Sequence, residues 1–305
     1  MKIDIDRRQF VAAAFGMSAL VTGGSLAPGN VFSKDKISRT SGNKIKLSLN
    51  AYSFNDQLRA GTMTLDDLID YCASLGFDGL DATGYYFPGY PVVPDDSFLY
   101  NLKKRAFVNG ITINGTGVKN DFAVPDLESR QKDIQMVKNW IKAAEKLGAA
   151  VIRIFSGYKV PDGYTFDQTL EWMVPDIQEC VEYGKKHGVI IGLQNHNDFV
   201  KTADEAIRII DAISSEWIGV ILDIGSLRYN DPYREIEKLL PYAVSWQLKE
   251  NVWYGDKEVA VDLEKLKSII DRCGFRGFIP IEALGTGDPK PKVEKLFNEI
   301  HKHFS

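Results

Sequence analysis

The sequence predicts an α/β protein folded as one closed (β/α)8 barrel. Three observations carry this expectation. Short, β-rich apolar runs alternate with longer stretches of helical period. Eight such runs occur at intervals of roughly 25–40 residues, close to the length of one β-α unit. A glycine closes many of the helical stretches just before the next run, where it tolerates the left-handed backbone that ends a helix.

In order, the runs begin near Ile45, Gly79, Ile111, Ala150, Val189, Ile218, Ala243 and Phe278. The closing glycines are Gly76, Gly110, Gly148, Gly188 and Gly274. Thr64-Leu65-Asp66-Asp67 opens the first long helix with a capping hydroxyl and an acid three residues on. Asp288-Pro289 opens the last, Lys290 to Phe304. Strict alternation of strand and helix means a parallel sheet, and eight units fit a closed barrel. An open doubly wound sheet would carry a glycine-rich phosphate loop after its first strand. Here that strand ends Asn50-Ala51-Tyr52-Ser53-Phe54.

Residues 1–33 read differently. Arg7-Arg8-Gln9-Phe10 precedes a weakly apolar run from Ala12 to Leu26 that contains Gly16, Gly23 and Gly24. A charged segment followed by a short apolar one is a secretory signal, and the Arg-Arg-x-Phe order resembles the twin-arginine class. The expected location is therefore exported, periplasmic. A basic tail or an uncleaved anchor are the alternatives. Residues 34–44 are polar and read as a linker, leaving residues 45–305 for the barrel.

The net charge of -4 conceals an asymmetry. Residues 1–44 carry seven Lys or Arg against three Asp or Glu, so the rest of the chain is net -8. An acidic body argues against nucleic acid as a partner. The run Ala12–Leu26 is short for a membrane span, so no stable membrane association is expected after signal removal. Cys72, Cys180 and Cys273 lie far apart in helical stretches, with neither a zinc pattern nor a disulfide framework. All three are expected to be small buried apolar residues.

In such barrels the active site is built at the C-terminal ends of the strands. The polar residues there are Asn50 and Tyr52, then Asp81, Lys119-Asn120-Asp121, Arg153, Gln194-Asn195-His196, Asp223, Gln247-Leu248-Lys249 and Glu282. A polar residue inside an apolar strand costs free energy unless it has partners. Alternation puts Gln194 and His196 on one strand face, and Gln247 and Lys249 on another. Asp223 and Glu282 each end an apolar strand. Such a carboxylate can bind a hard cation or act as acid or base. The alternative is that Asp223 caps the next helix and Glu282 pairs with a basic residue. Likewise Arg153 and Lys249 either bind substrate or pair internally with Asp223 or Glu282. Tyr52, Phe54, Tyr85, Tyr86, Phe87, Tyr90, Phe122, Phe155, Tyr158, Trp246, Trp253 and Tyr254 load the same end with aromatic faces, which stack on sugars.

At these positions the chain resembles the sugar isomerase/epimerase superfamily of xylose-isomerase-like TIM barrels, which also includes inosose dehydratases and endonuclease IV. The resemblance spans roughly residues 45–305 and includes Val261-Asp262-Leu263 and Gly274-Phe275-Arg276-Gly277. In the family, strand 5 ends Glu-Asn-His, strand 6 in Asp, strand 7 reads His-x-Lys and strand 8 ends in Glu. This chain has Gln194-Asn195-His196, Asp223, Gln247-Leu248-Lys249 and Glu282. The resemblance implies one divalent metal on Gln194, Asp223, Gln247 and Glu282. Oxygen-only ligands would favour Mg, Mn or Ca over Zn.

Two departures matter. Gln194 stands where the family has Glu, and Gln247 where it has His. The ligand set then carries two negative charges instead of three. Family epimerases use two opposed glutamates, and Gln194 cannot be a base. Glu282 is then the expected base, working alone or with His196 as partner acid, and a metal or Lys249 stabilises the enolate oxygen; the alternative for His196 is a hydrogen-bonded pocket residue. Arg153, Lys249, Asn195, Asp81 and Tyr52 are the expected substrate-binding residues. The expected activity is isomerisation or epimerisation of a small-molecule carbohydrate. A keto-sugar or keto-inositol lyase and a non-catalytic sugar-binding barrel are the alternatives, and a homo-oligomer is compatible with all three. Endonuclease IV needs several more His and Glu ligands, whereas the barrel here offers only His196 at a strand end, with His187, His301 and His303 in helical stretches.

Overall fold

The computed structural model of the protein describes residues 37, 39, 40, 42, 44–196 and 199–304. Residues 1–33, expected from the sequence to be an export signal, lie outside the described residues.

Seven strands come first: β1 (Lys44–Asn50), β2 (Gly79–Thr83), β3 (Thr112–Gly117), β4 (Val151–Ile154), β5 (Ile190–Gln194), β6 (Ile218–Asp223) and β7 (Ala243–Gln247). A hairpin follows, β8 (Asn251–Tyr254) and β9 (Lys257–Ala260), and then the eighth barrel strand, β10 (Arg276–Ile281). Each barrel strand starts within two residues of its expected position. The hairpin was not expected.

The barrel order is β10-β1-β2-β3-β4-β5-β6-β7, with every pairing parallel. The last seam, between β7 and β10, is held by a single parallel bridge, Leu248 to Ile281. The Leu248 N–H donates to Pro280 O at 2.9 Å, and the Glu282 N–H donates to Leu248 O at 2.8 Å. These two bonds fix the strand ends that carry Gln247, Lys249 and Glu282. β2 and β6 are buried along their whole length, as parallel strands covered on both faces must be.

The helices are α1 (Asn55–Ala60), α2 (Leu65–Leu75), α3 (Asp96–Val108), α4 (Leu127–Leu147), α5 (Phe166–Lys186), α6 (Ala203–Ile213), α7 (Pro232–Leu239), α8 (Leu263–Cys273) and α9 (Pro289–Phe304). Thr64 and Asp67 form the capping box read from the sequence. Gly76, Gly148 and Gly274 end α2, α4 and α8 in the left-handed region. α6 departs from this rule, because Ser214 ends it at φ 48. Its inner face is Ala203, Ala206, Ile209, Ile210 and Ile213, at helical spacing. Each isoleucine buried there contributes about 1.5–3 kcal/mol relative to exposure.

Cys72 and Cys180 are buried in α2 and α5, as expected. Cys273 is not: it is exposed at the end of α8, on the outer side of the last turn. The polar segment before β1 is docked on the barrel. The Ile37 N–H donates to Pro241 O at 3.2 Å, and the Arg39 guanidinium donates to Ala243 O and lies 4.8 Å over the Phe275 ring. Among the described residues no helix is long and apolar enough to cross a membrane.

Candidate active site at the barrel mouth

The C-terminal strand ends surround a cavity of about 670 Å³. That falls within the roughly 300–1,000 Å³ of small-molecule sites. Of the residues expected there, Tyr52, Arg153, Gln194, His196, Asp223, Gln247, Lys249 and Glu282 line it. The face assignments for β5 and β7 therefore agree with the structure.

Asp223 is fully buried and heavily bonded. Its Oδ2 accepts from Gln194 Nε2 at 2.8 Å, Ser226 Oγ at 2.9 Å and Lys249 Nζ at 3.0 Å. Its Oδ1 accepts from the Gly225 N–H at 3.0 Å, which caps a single helical turn. Lys249 Nζ also lies 3.2 Å from Glu282 Oε1. The capping and ion-pairing roles read as alternatives are thus both present in the same residues that line the cavity.

Burial alone would push Asp223 upward, yet the Lys249 ammonium, His196 and the Gln194 amide hold it below the ordinary carboxylate range. Glu282 goes the other way. Burial raises it, Lys249 pulls it back, and the Asp223 charge adds to the rise. Burial opposes the Lys249 charge, but the two carboxylates raise its proton affinity well above an ordinary lysine. The site thus holds a firmly ionised Asp223, a fixed ammonium and a Glu282 with raised proton affinity.

Arg153 is buried, and its guanidinium donates to Tyr85 Oη at 2.7 Å and to Val118 O. Gly117 makes this placement possible, since a Cβ there would stand 2.9 Å from Arg153 Nε. Arg153 therefore holds Tyr85 at the cavity wall. The His196 ring packs edge-on against Phe155, with centroids 5.3 Å apart.

Two expected substrate contacts lie elsewhere. Asn195 is buried, and its amide is spent on the backbone of Asp223. Asp81 sits behind the cavity wall, accepting from Asn50 Nδ2 at 3.2 Å. Among the aromatic residues, Tyr52, Tyr85, Phe155, Tyr158 and Trp253 line the cavity, while Phe54, Phe87, Phe122 and Trp246 are core.

Sequence reasoning missed Arg59 and Arg228, which also line the cavity. Arg59 lies on α1, a helix too short to show a period. Arg228 lies five residues beyond Asp223 and is stacked 3.9 Å over the Trp253 ring, on the hairpin. Following each strand-end loop further out would have found Arg228.

The four residues expected to hold a metal do converge, but their donor chemistry does not fit a divalent ion. Gln194 presents its NH2 group to Asp223 Oδ2 and, at 2.7 Å, to Gln247 Oε1, leaving its own Oε1 buried without a partner. A hydrogen-bond donor stands where a ligand lone pair is needed. Asp223 Oδ2 already accepts three bonds, one from an ammonium. Among the described residues no group of three His, Cys, Asp or Glu is placed to hold a metal.

No curated protein matches the sequence. Solved structures resemble the fold at low identity. D-psicose 3-epimerase from Clostridium cellulolyticum H10 with D-tagatose has TM-score 0.68 and 16% identity, covering 85% of this chain and 99% of its own. The apo 3-keto-D-glucoside 4-epimerase from E. coli has TM-score 0.65 and 12% identity, covering 85% and 100%. The IolI protein with a bound zinc atom has TM-score 0.68 and 16% identity, covering 85% and 96%. At such identities the likeness is one of fold. The family model for the xylose isomerase-like TIM barrel matches residues 69–301, from α2 through most of α9, and the chain belongs to that family.

Proposed function

We propose that the protein is a carbohydrate isomerase or epimerase-like enzyme that moves a proton next to a sugar carbonyl, with Glu282 as the base. One observation carries this reading. Glu282 is only 4% exposed, yet it lines the cavity with its carboxylate paired to the Lys249 ammonium. Burial raises its affinity for a proton, which suits it to take one from carbon, while the paired Lys249 ammonium opposes that rise.

In the step itself, Glu282 takes the proton from the carbon beside the carbonyl. The C–H electron pair forms the new C–C double bond, and the carbonyl π pair moves onto oxygen. When the hydroxyl proton on that carbon passes to the former carbonyl oxygen and Glu282 returns its proton to the former carbonyl carbon, the double-bond electrons forming that C–H bond as the hydroxyl oxygen becomes the new carbonyl, the result is an aldose–ketose shift. Return to the first carbon from its other face, by His196, gives epimerisation. The fold family implies a divalent cation for the oxygen, and Gln194, Asp223, Gln247 and Glu282 would be its ligands. Their donor chemistry does not fit such an ion, and no step here depends on one.

A second reading, a keto-sugar lyase, is favoured by the single carboxylate base. After the same proton abstraction, His196 would protonate a leaving hydroxyl or alkoxide. The epimerases of similar fold support a sugar carrying a carbonyl. The Arg7-Arg8 segment supports export to the periplasm, where free or glycosidic sugars are commoner substrates than sugar phosphates.

Incubation with a panel of keto- and aldo-sugars in D₂O, followed by NMR, tests the proposal. Deuterium is expected at the carbon next to the carbonyl, and Glu282→Gln is expected to lower its rate about 100-fold or more. Full exchange in that variant would remove Glu282 from the role. An unsaturated, ultraviolet-absorbing product selects the lyase. Sugars that raise the melting temperature with no exchange select a binding barrel.

A further inference from the structure

We propose that Lys249 is the built-in cation of this site, its ammonium standing in place of a divalent metal. It rests on the proton-transfer reading for what the cation does, though not for whether it is there. Three features of the structure point to it.

The first is position. Lys249 Nζ lies 3.0 Å from Asp223 and 3.2 Å from Glu282, joining the two carboxylates that a metal would join. An ammonium has three N–H donors. Two go to these carboxylates, and the third remains for a substrate oxygen in the cavity that Lys249 lines.

The second is charge. The exchange of Glu and His for Gln194 and Gln247 leaves two carboxylates around the centre. The Lys249 ammonium is in direct contact with both of them and supplies the positive charge between them. A divalent ion on Asp223 Oδ2 would share that oxygen with Lys249 Nζ and be repelled by it.

The third is that the surroundings are shaped for the lysine. Gly225 has no side chain at the point where a Cβ would stand 2.6 Å from Lys249 Cδ. Gln194 gives up a partner for its Oε1 so that its NH2 can cross-link Asp223 and Gln247. The Gln194 NH2 thus links Gln247 to Asp223 and turns donor hydrogens, not a lone pair, toward both of these expected ligands.

In the reaction, the Lys249 N–H would donate to the carbonyl oxygen as negative charge develops there. The proton from carbon goes to Glu282, and the ammonium remains an ammonium. A fixed donor of this kind needs no reorganisation as the oxygen becomes charged.

The test uses the full chain and needs no known substrate. Metal content is measured on protein purified without chelator, and melting temperature is followed with EDTA and with added Mn²⁺ or Zn²⁺. Wild type is expected to carry far less than one metal per chain, with a melting temperature that neither EDTA nor either metal moves. Lys249→Met is expected to melt lower and to gain a rise in melting temperature with Mn²⁺. Should that variant not fold, Asp223→Asn/Lys249→Met, which removes one charge of each sign, is expected to recover folded protein. One tightly held metal in wild type, lost to EDTA with a fall in melting temperature, overturns the proposal. So does a Lys249→Met protein as stable as wild type, or a double variant that stays unfolded. These readouts are independent of activity, so failure of the sugar assignment leaves them intact.

Discussion

Asn195 and the backbone of Asp223 are joined by two hydrogen bonds of 2.9 Å. The Asn195 amide donates to Asp223 O, and the Asp223 N–H donates to Asn195 Oδ1. The bond pair lies at the ends of β5 and β6, beyond the last paired residues of that ladder. It extends the sheet by a side chain and fixes the backbone that carries the most buried carboxylate of the site. The Asn of the Gln-Asn-His run is thus a positioning residue, not a substrate contact.

Asn195→Ala is expected to leave a buried N–H and a buried carbonyl without partners. Each costs about 1–3 kcal/mol, so a loss on the order of 3 kcal/mol is expected in urea unfolding. Proton exchange into substrate is expected to slow as well, because Asp223 loses its fixed position. An unchanged unfolding midpoint would show that the clamp is not structural.

Asp81 sets a pH dependence. Burial raises its carboxyl to about 6 from 3.8, with Arg153 pulling it down and Glu282 pushing it up. The folded state therefore holds this proton more tightly than the unfolded chain. The resulting stability is complete below about pH 4 and is lost as pH rises through about 6. Asp81→Asn keeps an acceptor for Asn50 and removes the charge. It is expected to exceed wild type by on the order of 2 kcal/mol at pH 8 and to match it near pH 4. The quantity to measure is the difference between the two stability curves, since other carboxylates affect both proteins alike. A difference that is flat with pH contradicts the assignment.

Gly225 gives access to Lys249 without changing its chemistry. A methyl group there must push the Lys249 stem aside, from a starting separation of 2.6 Å. The backbone of Gly225 has no positive φ, so the residue itself accepts a side chain. Gly225→Ala is expected to lower kcat about 10- to 100-fold, as small displacements of a reacting group do. KM is expected to move less than kcat. A kcat equal to wild type would mean that Lys249 tolerates displacement.

Ser214 ends α6 with the left-handed backbone that Gly76, Gly148 and Gly274 supply at the ends of α2, α4 and α8. That conformation costs a residue with a Cβ about 1–2 kcal/mol, partly offset by the greater freedom of glycine when unfolded. Ser214→Gly is therefore expected to stabilise the protein by about 0.5 kcal/mol without altering activity. Differential scanning calorimetry reads the shift, and a lower melting temperature would count against it.

Most of the barrel was legible because burial writes it directly into the sequence. Strands covered on both faces must be apolar throughout, so a polar residue at a strand end stands out, and Asp223 and Glu282 did. The hairpin was not legible for the converse reason. Lys257-Glu258-Val259-Ala260 is largely exposed, so no apolar pattern marks it. Its one signal is Gly255-Asp256 as a two-residue turn, with Gly255 at φ 62. Alternation showed that Gln247 and Lys249 face one way. It could not show that the lysine would reach across to both carboxylates, because that depends on the space left by Gly225 on another strand end. The buried role of Asn195 was hidden similarly: an amide that repairs a neighbouring backbone looks the same in sequence as one that greets a ligand.

The docking of Ile37 and Arg39 has a practical consequence. Pro241 precedes β7, Ala243 is its first residue, and Phe275 precedes β10, so these contacts lie at the N-terminal end of the strands, under the floor of the barrel. The polypeptide thus enters the domain from the side opposite the cavity. Any cargo joined ahead of Ile37, whether a purification tag, a fluorescent protein or a surface tether, leaves the opening unobstructed. A support-bound form attached through that end would present its mouth to the solution.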